Sequence, residues 1–119
     1  MAGAMTDSDC LFCRFVAGEP APDVVHETAT TLAFRDINPQ APTHVLVVPK
    51  AHHRDAAALA AAEPAVMADL VASAAEVARA EGLGDGYRLV LNTGEGAGQT
   101  VFHVHLHVLG GRAMQWPPG

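Results

Sequence analysis

The chain predicts an α+β domain built on an antiparallel sheet, and three observations say so. Five short runs have strand character, one long stretch carries a helical stripe, and no repeat or linker divides the 119 residues. One domain over residues 1–119 is therefore expected, with a five-stranded sheet, one long helix and a short N-terminal helix. Residues 1–8, which open on Met-Ala-Gly-Ala-Met, read as a disordered start, and 112–119 as a C-terminal tail.

Taken in order, Asp9–Gly18 is a short helix, with Asp9 as its N-cap and Gly18 as its stop. Leu11 or Phe12 with Phe15 and Val16 would form its apolar face. Two prolines make Glu19–Asp23 a loop. Val24–Ala29 and Thr31–Asp36 are strands close enough for a hairpin, and Asn38–Thr43 is a proline-punctuated turn. The continuous apolar run of His44–Pro49 marks a central strand buried on both faces. Lys50–Arg54 is polar and leads into alanine-rich helix. The firmest helix spans Pro64 to Glu81, with proline in its first turn and Gly82 beyond its end. Met67, Leu70, Val71, Ala74, Val77 and Ala78 recur at three- and four-residue spacing and should face the sheet. Tyr87–Asn92 is the fourth strand. Gly94, Gly96 and Gly98 then lead into the fifth, Thr100–Leu109.

That fifth run organises the chemistry. His103, His105 and His107 alternate with Val104, Leu106 and Val108, so a strand puts the three imidazoles on one side and the aliphatics on the core. Exposed histidines are normally scattered, not stacked. At a rise of about 3.3 Å per residue the outer two start about 13 Å apart. One centre can therefore use two neighbours but hardly all three.

Composition narrows the partners. A formal charge of −6 argues against a general nucleic-acid binder, which would carry basic patches. No apolar run approaches the roughly 20 residues that span a bilayer, and the start lacks the basic and apolar regions of a leader. A cytoplasmic, non-membrane protein is expected. In that compartment two cysteines point to metal or redox chemistry before a disulfide.

Neutral imidazole is a nucleophile near neutral pH, so one histidine can attack phosphorus while another assists. The 94–98 glycines permit an anion nest of backbone N–H groups, with Gln99, Thr100 and Asn92 adding donors beside it. Asp36, ending the second strand, is either a turn cap or a carboxylate for ribose hydroxyls, with Phe34 and Ile37 offering a slot for a base. Cys10-x-x-Cys13 has the spacing of half a zinc site. A redox pair of the thioredoxin kind would follow a strand, and none precedes it. His52 or His53, together with His103, are candidates to complete four ligands. Zinc hydrolysis on His105 and His107 is chemically sensible too, but no third ligand is obvious on that face.

The run His103-Val-His-Leu-His-Val-Leu109 resembles the histidine-triad signature of the HIT superfamily. The segments Phe34–His44, Val48-Pro-Lys50, Ala97–Phe102, Gly110–Arg112 and Trp116–Gly119 resemble its Hint branch, in order over nearly the whole chain. The resemblance implies a HIT-like fold whose sheet continues across a homodimer, and hydrolysis of purine nucleoside phosphoramidates, chiefly those of AMP. His105 matches the nucleophile that forms a nucleotidyl-histidine. His107, His44, Asn92, Gly98, Gln99 and Thr100 match positions around the phosphate and leaving group. Asp36 matches the ribose carboxylate, and Phe12, Phe34 and Ile37 the purine pocket. Trp116 matches a tail residue that reaches the partner's site. Cys10, Cys13, His52 and His103 match a structural zinc site of similar bacterial proteins. Glu19-Pro-Ala-Pro22 departs from the family's Glu-Ile-Pro-Ala and removes an apolar side chain near the base. The competing class is a nucleotide-binding or scaffolding protein with a relic triad, yet every reacting position is filled.

Overall fold

A computed structural model describes residues 9–119, so the expected disorder of 1–8 lies outside the described residues. The elements are α1 (Leu11–Val16), β1 (Val24–Glu27), β2 (Thr31–Arg35), β3 (Thr43–Pro49), α2 (Ala56–Ala62), α3 (Pro64–Ala80), β4 (Arg88–Val90) and β5 (Leu106–Gly110). The five strands form one antiparallel sheet in the order β1-β2-β3-β5-β4. This is the architecture expected from the five runs.

Every residue of β3 is buried, because its alternating side chains serve two cores. Val45 and Val47 pack with Ala33, Leu106 and Val108 against Leu70, Ala74, Val77 and Ala78 of α3. Leu46 and Val48 pack with Leu32 and Phe34 against Phe12 of α1. His107 stands opposite Leu46 in the ladder, so the triad shares the α1 face while Leu106 and Val108 take the α3 face. Arg35 adds a clasp, donating from both terminal nitrogens to Glu81 at 3.0 Å, and Thr43 joins the same carboxylate.

Several expectations need correcting. The histidine strand begins at Leu106, not Thr100. Its ladder to β3 ends at Val47 because Val104 N–H donates instead to His53 C=O, and Pro49, further along, has no N–H to offer. β4 is likewise shorter than Tyr87–Asn92: it spans Arg88–Val90, and its last partner in β5 is His107. Cys10, not Asp9, caps α1, its sulfur accepting the Cys13 N–H at 3.4 Å. The alanine-rich stretch is a separate helix, α2, capped by Asp55 and broken from α3 at Glu63, so the domain has two helices after β3. Val71 is exposed while Ser73 is buried. The stripe through Leu70, Ala74 and Val77 leaves 71 about 100° off the core direction, and Ser73 reaches Thr31 Oγ1 at 2.8 Å.

Candidate functional site

A cleft of about 260 Å³ opens on the α1 face of the sheet. Phe12, Phe34, Asp36, Ile37, Thr100, His105 and His107 all line it, so seven of the expected site residues meet in one place. Leu11, Phe15, Leu46 and Val101 complete the apolar wall. The signal for Leu11 and Phe15 was the amphipathic face of α1 and for Leu46 the apolar run of β3, while Val101, before β5, had none. Phe12 stands edge-on to His105 with centroids 5.0 Å apart and edge-on to Phe34 at 5.4 Å. Ile37 is almost fully exposed at the rim.

His105 is buried, and its Nδ1–H donates to the His103 carbonyl at 2.9 Å. A ring that donates from Nδ1 keeps a lone pair on Nε2. Burial pushes the His105 pKa below the ordinary histidine value, against smaller raising effects of that hydrogen bond and Asp36. The ring is thus a neutral base with one nitrogen free.

His44 and His107 form a second unit. Gln40 N–H donates to His44 Nδ1 at 3.0 Å, so the neutral ring must carry its proton on Nε2. That nitrogen lies 2.9 Å from His107 Nδ1 and 3.5 Å from Asp36 Oδ2. His107 therefore accepts at Nδ1 and holds its own proton on Nε2, a buried atom with no hydrogen-bond partner among the described residues. Burial, then the neighbouring His105 and His44, push the His107 pKa down to about 4. His44 is lowered by burial in spite of Asp36. Asp36 also accepts the Asn38 N–H at 2.8 Å, so both roles weighed for it are compatible here: it caps the turn and lines the cleft.

On the other side of His105, four side chains converge. His103 is completely buried and donates Nε2–H to the Pro49 carbonyl at 2.8 Å. Its free Nδ1 lies 3.4 Å from both Cys10 Sγ and Cys13 Sγ and 3.2 Å from His52 Nδ1. Cys13 Sγ is 3.3 Å from His52 Nδ1. Ligand atoms around a tetrahedral zinc stand roughly 3.3–3.8 Å apart, so these four could hold that ion with small adjustment. Of the two histidines weighed as the fourth ligand, His53 is bound elsewhere, to Glu63 at 2.6 Å. Asp36, His44 and His107 also cluster, but their 2.9 Å nitrogen pair is hydrogen-bonded.

Other expected residues stand apart from the cleft. Gln99 is buried, and its amide braces the glycine loop: Oε1 accepts the Gly94 N–H, and Nε2 donates to the Arg54 and Val101 carbonyls. Its side-chain amide is thus engaged with the loop, not turned toward the cleft. The loop itself is a short 3₁₀ turn between Gly94 and Gly98, at φ of 86° and 94°. Asn92 is half-buried and, like Gly98 and Trp116, does not line the cleft. Trp116 is 82% exposed.

The HIT domain family matches residues 17–114. The chain is 47% identical over 118 residues to the 14 kDa zinc-binding protein of Zea mays, covering 97% of this chain and 91% of the relative. A HIT family hydrolase from Legionella pneumophila superposes with a TM-score of 0.88 at 50% identity, over 92% of this chain and 99% of the other. A histidine triad nucleotide-binding protein from Candida albicans follows at 0.79 and 30%, over 91% and 82%.

Proposed function

This chain belongs to the HIT domain family, and from that premise we propose that it is a purine nucleoside phosphoramidase of the Hint type working through a nucleotidyl-His105. The observation that carries this reading is the tautomer of His105: a neutral ring anchored at Nδ1, its Nε2 lone pair free and its position in the wall of an aromatic cleft.

The purine lies between Phe12, Phe34 and Ile37, and Asp36 accepts the ribose hydroxyls. His105 Nε2 gives its lone pair to the α-phosphorus as the P–N bond breaks. The Nε2–H of His107 supplies the hydrogen bond its own surroundings leave unmade, to a phosphoryl oxygen, and Thr100, on the same cleft wall, adds another. The N–H groups of Gly94, Ala97, Gly98 and Gln99 are spent within their loop. His44 and His107 are the two rings first expected to give the leaving amine its proton. Burial keeps both neutral, and each remaining proton is in a hydrogen bond or aimed at the phosphoryl group. In this reading the departing amine therefore takes its proton from water at the cleft mouth instead. The hydroxide left behind attacks phosphorus, and the N–P electrons return to His105. The sum is phosphoramidate plus water to amine plus nucleotide.

Cys10, Cys13, His52 and His103 hold one structural zinc per chain in this reading, supported by the 3.2–3.4 Å spacing and by the zinc-binding relative. When bound, the ion would cross-link α1 to the residues before β5 with no open coordination position. The whole chain acts as one HIT domain in a homodimer. The outer edge of β4, flanked by the part-exposed Tyr87 and Leu89, continues the sheet into a second copy, and Trp116 reaches the partner's cleft. No described helix is long and apolar enough to cross a membrane, and a cytoplasmic setting fits the cysteine chemistry.

The test is single-turnover reaction with AMP and GMP phosphoramidates, with acid quench and intact-mass analysis, and kcat/KM across the same panel. A nucleotide covalently attached at His105 is the expected result. Tight nucleotide binding without adduct or turnover would favour the binding-protein alternative.

A further inference from the structure

The C-terminal segment is tied to the catalytic histidines by one residue. Arg112 donates from Nε and Nη2 to the Gln40 carbonyl at 3.2 and 3.1 Å. Gln40 in turn gives its own N–H to His44 Nδ1 at 3.0 Å, and His44 Nε2 meets His107 Nδ1 at 2.9 Å. The two segments also touch directly: a Cβ on Gly111 would stand 2.9 Å from Pro42 Cβ, so only glycine lets them approach this closely.

The turn holding Gln40 has little else to fix it. Residues 37–40 are exposed, and Pro39 and Pro42 offer no N–H. Its other ties are the Asn38 N–H to Asp36, the Gln40 amide to the Asn38 carbonyl, the Asp36 N–H to the His44 carbonyl at its base, and the burial of Ala41. A charged guanidinium placing two donors on one carbonyl is therefore a substantial share of what holds the Gln40 peptide.

From this geometry we infer that Arg112 and Gln40 are positioning residues, which set the nitrogen of His44 that carries the proton and, through it, the free donor of His107. With Gln40 N–H in place, His44 Nδ1 must accept and Nε2 must donate. With that N–H displaced, the proton can sit on either nitrogen, and in the wrong tautomer two bare nitrogens face each other until His107 also reverses. His107 then presents a lone pair, not an N–H, to the phosphoryl oxygen. The groups facing His44 are Asp36 and His107, and His105 faces His107. The Asp36 carboxylate, 3.5 Å from Nε2, favours the same tautomer, but more weakly than the Gln40 N–H at 3.0 Å.

The inference rests on the phosphoramidase reading only for its kinetic consequence, so the test has two arms. Long-range proton–nitrogen NMR of the ligand-free protein reads the His44 ring directly. Wild type should show a single tautomer protonated at Nε2, Arg112→Ala a mixture, and Arg112→Lys a return toward wild type. In the second arm, kcat on an AMP phosphoramidate should fall about 10-fold in Arg112→Ala, the scale of one charge-assisted hydrogen bond, with KM within about twofold. Melting curves establish that the variant folds. A deletion of residues 114–119, which keeps Arg112, should leave the His44 tautomer as in wild type. A single Nε2–H tautomer in Arg112→Ala, or the same mixture in the deletion, overturns the assignment to Arg112. Wild type with no hydrolysis at all overturns the phosphoramidase reading, while the NMR arm still decides the role of Arg112.

Discussion

His103 and His107 lie four residues apart on one side of the same segment, yet their rings are wired in opposite senses. His103 donates Nε2–H to the Pro49 carbonyl and turns its bare Nδ1 toward two thiols and a second imidazole. His107 accepts at Nδ1 from His44 and keeps an N–H on Nε2. One environment makes a ligand, the other a hydrogen-bond donor. The lesson is that the second nitrogen of a histidine decides the use of the first. His105, between them, has its Nδ1 proton on a carbonyl and its Nε2 left with a free lone pair.

The largest expected effect tests the middle member. His105→Ala should retain AMP binding by calorimetry and lose turnover by roughly 10⁴-fold or more, as when a covalent nucleophile is removed. Unchanged turnover would end the covalent mechanism. Next comes the donor: His107→Phe should cost roughly 10²–10³-fold in kcat, the scale of one oxyanion donor, with a smaller change in KM. A loss confined to KM would move His107 from transition-state stabilisation to plain binding.

The ligand side of the comparison is tested with Cys10→Ala and Cys13→Ala together. Metal analysis should find close to one zinc in wild type and none in the variant, with Tm lower by roughly 10 °C or more. A nucleotidyl-His105 should still be trapped, because the ion only braces the segment. Its abolition would show that the two halves are not separable. Removing residues 112–119 should change selectivity among leaving amines more than it changes Tm; identical selectivity would give the tail another task.

The smallest effect is one of pH. His44 and His107 are harder to protonate in the fold than in the unfolded chain, where the value is about 6.5. Their contribution to stability is therefore complete above about 6.5 and is lost as pH falls from there toward about 4. The urea midpoint of the zinc-free cysteine variant, which removes metal release from the experiment, should drop over this window. A midpoint that rises on acidification contradicts the burial of neutral rings.

Much of this was legible from local pattern. Alternation over 103–108 assigned histidines and aliphatics to opposite faces, and the continuous run of β3 announced a strand covered on both sides, because side-chain period is a property of the backbone alone. The Cys10-x-x-Cys13 spacing likewise marked ligands from one helical turn. Three things were decided only in the folded chain. The histidine strand stops at Leu106 because Val104 bonds to His53, about fifty residues away in sequence. Gln99, polar and beside the glycines, spends its amide on the loop because burial leaves no polar atom unpaired without cost. The tautomers of four histidines depend on Pro49, His103 and Gln40 as backbone partners. Main-chain N–H and C=O groups are the same at every position, so composition and spacing carry no trace of which one a ring will meet; only the tertiary fold brings a particular donor or acceptor to a particular nitrogen.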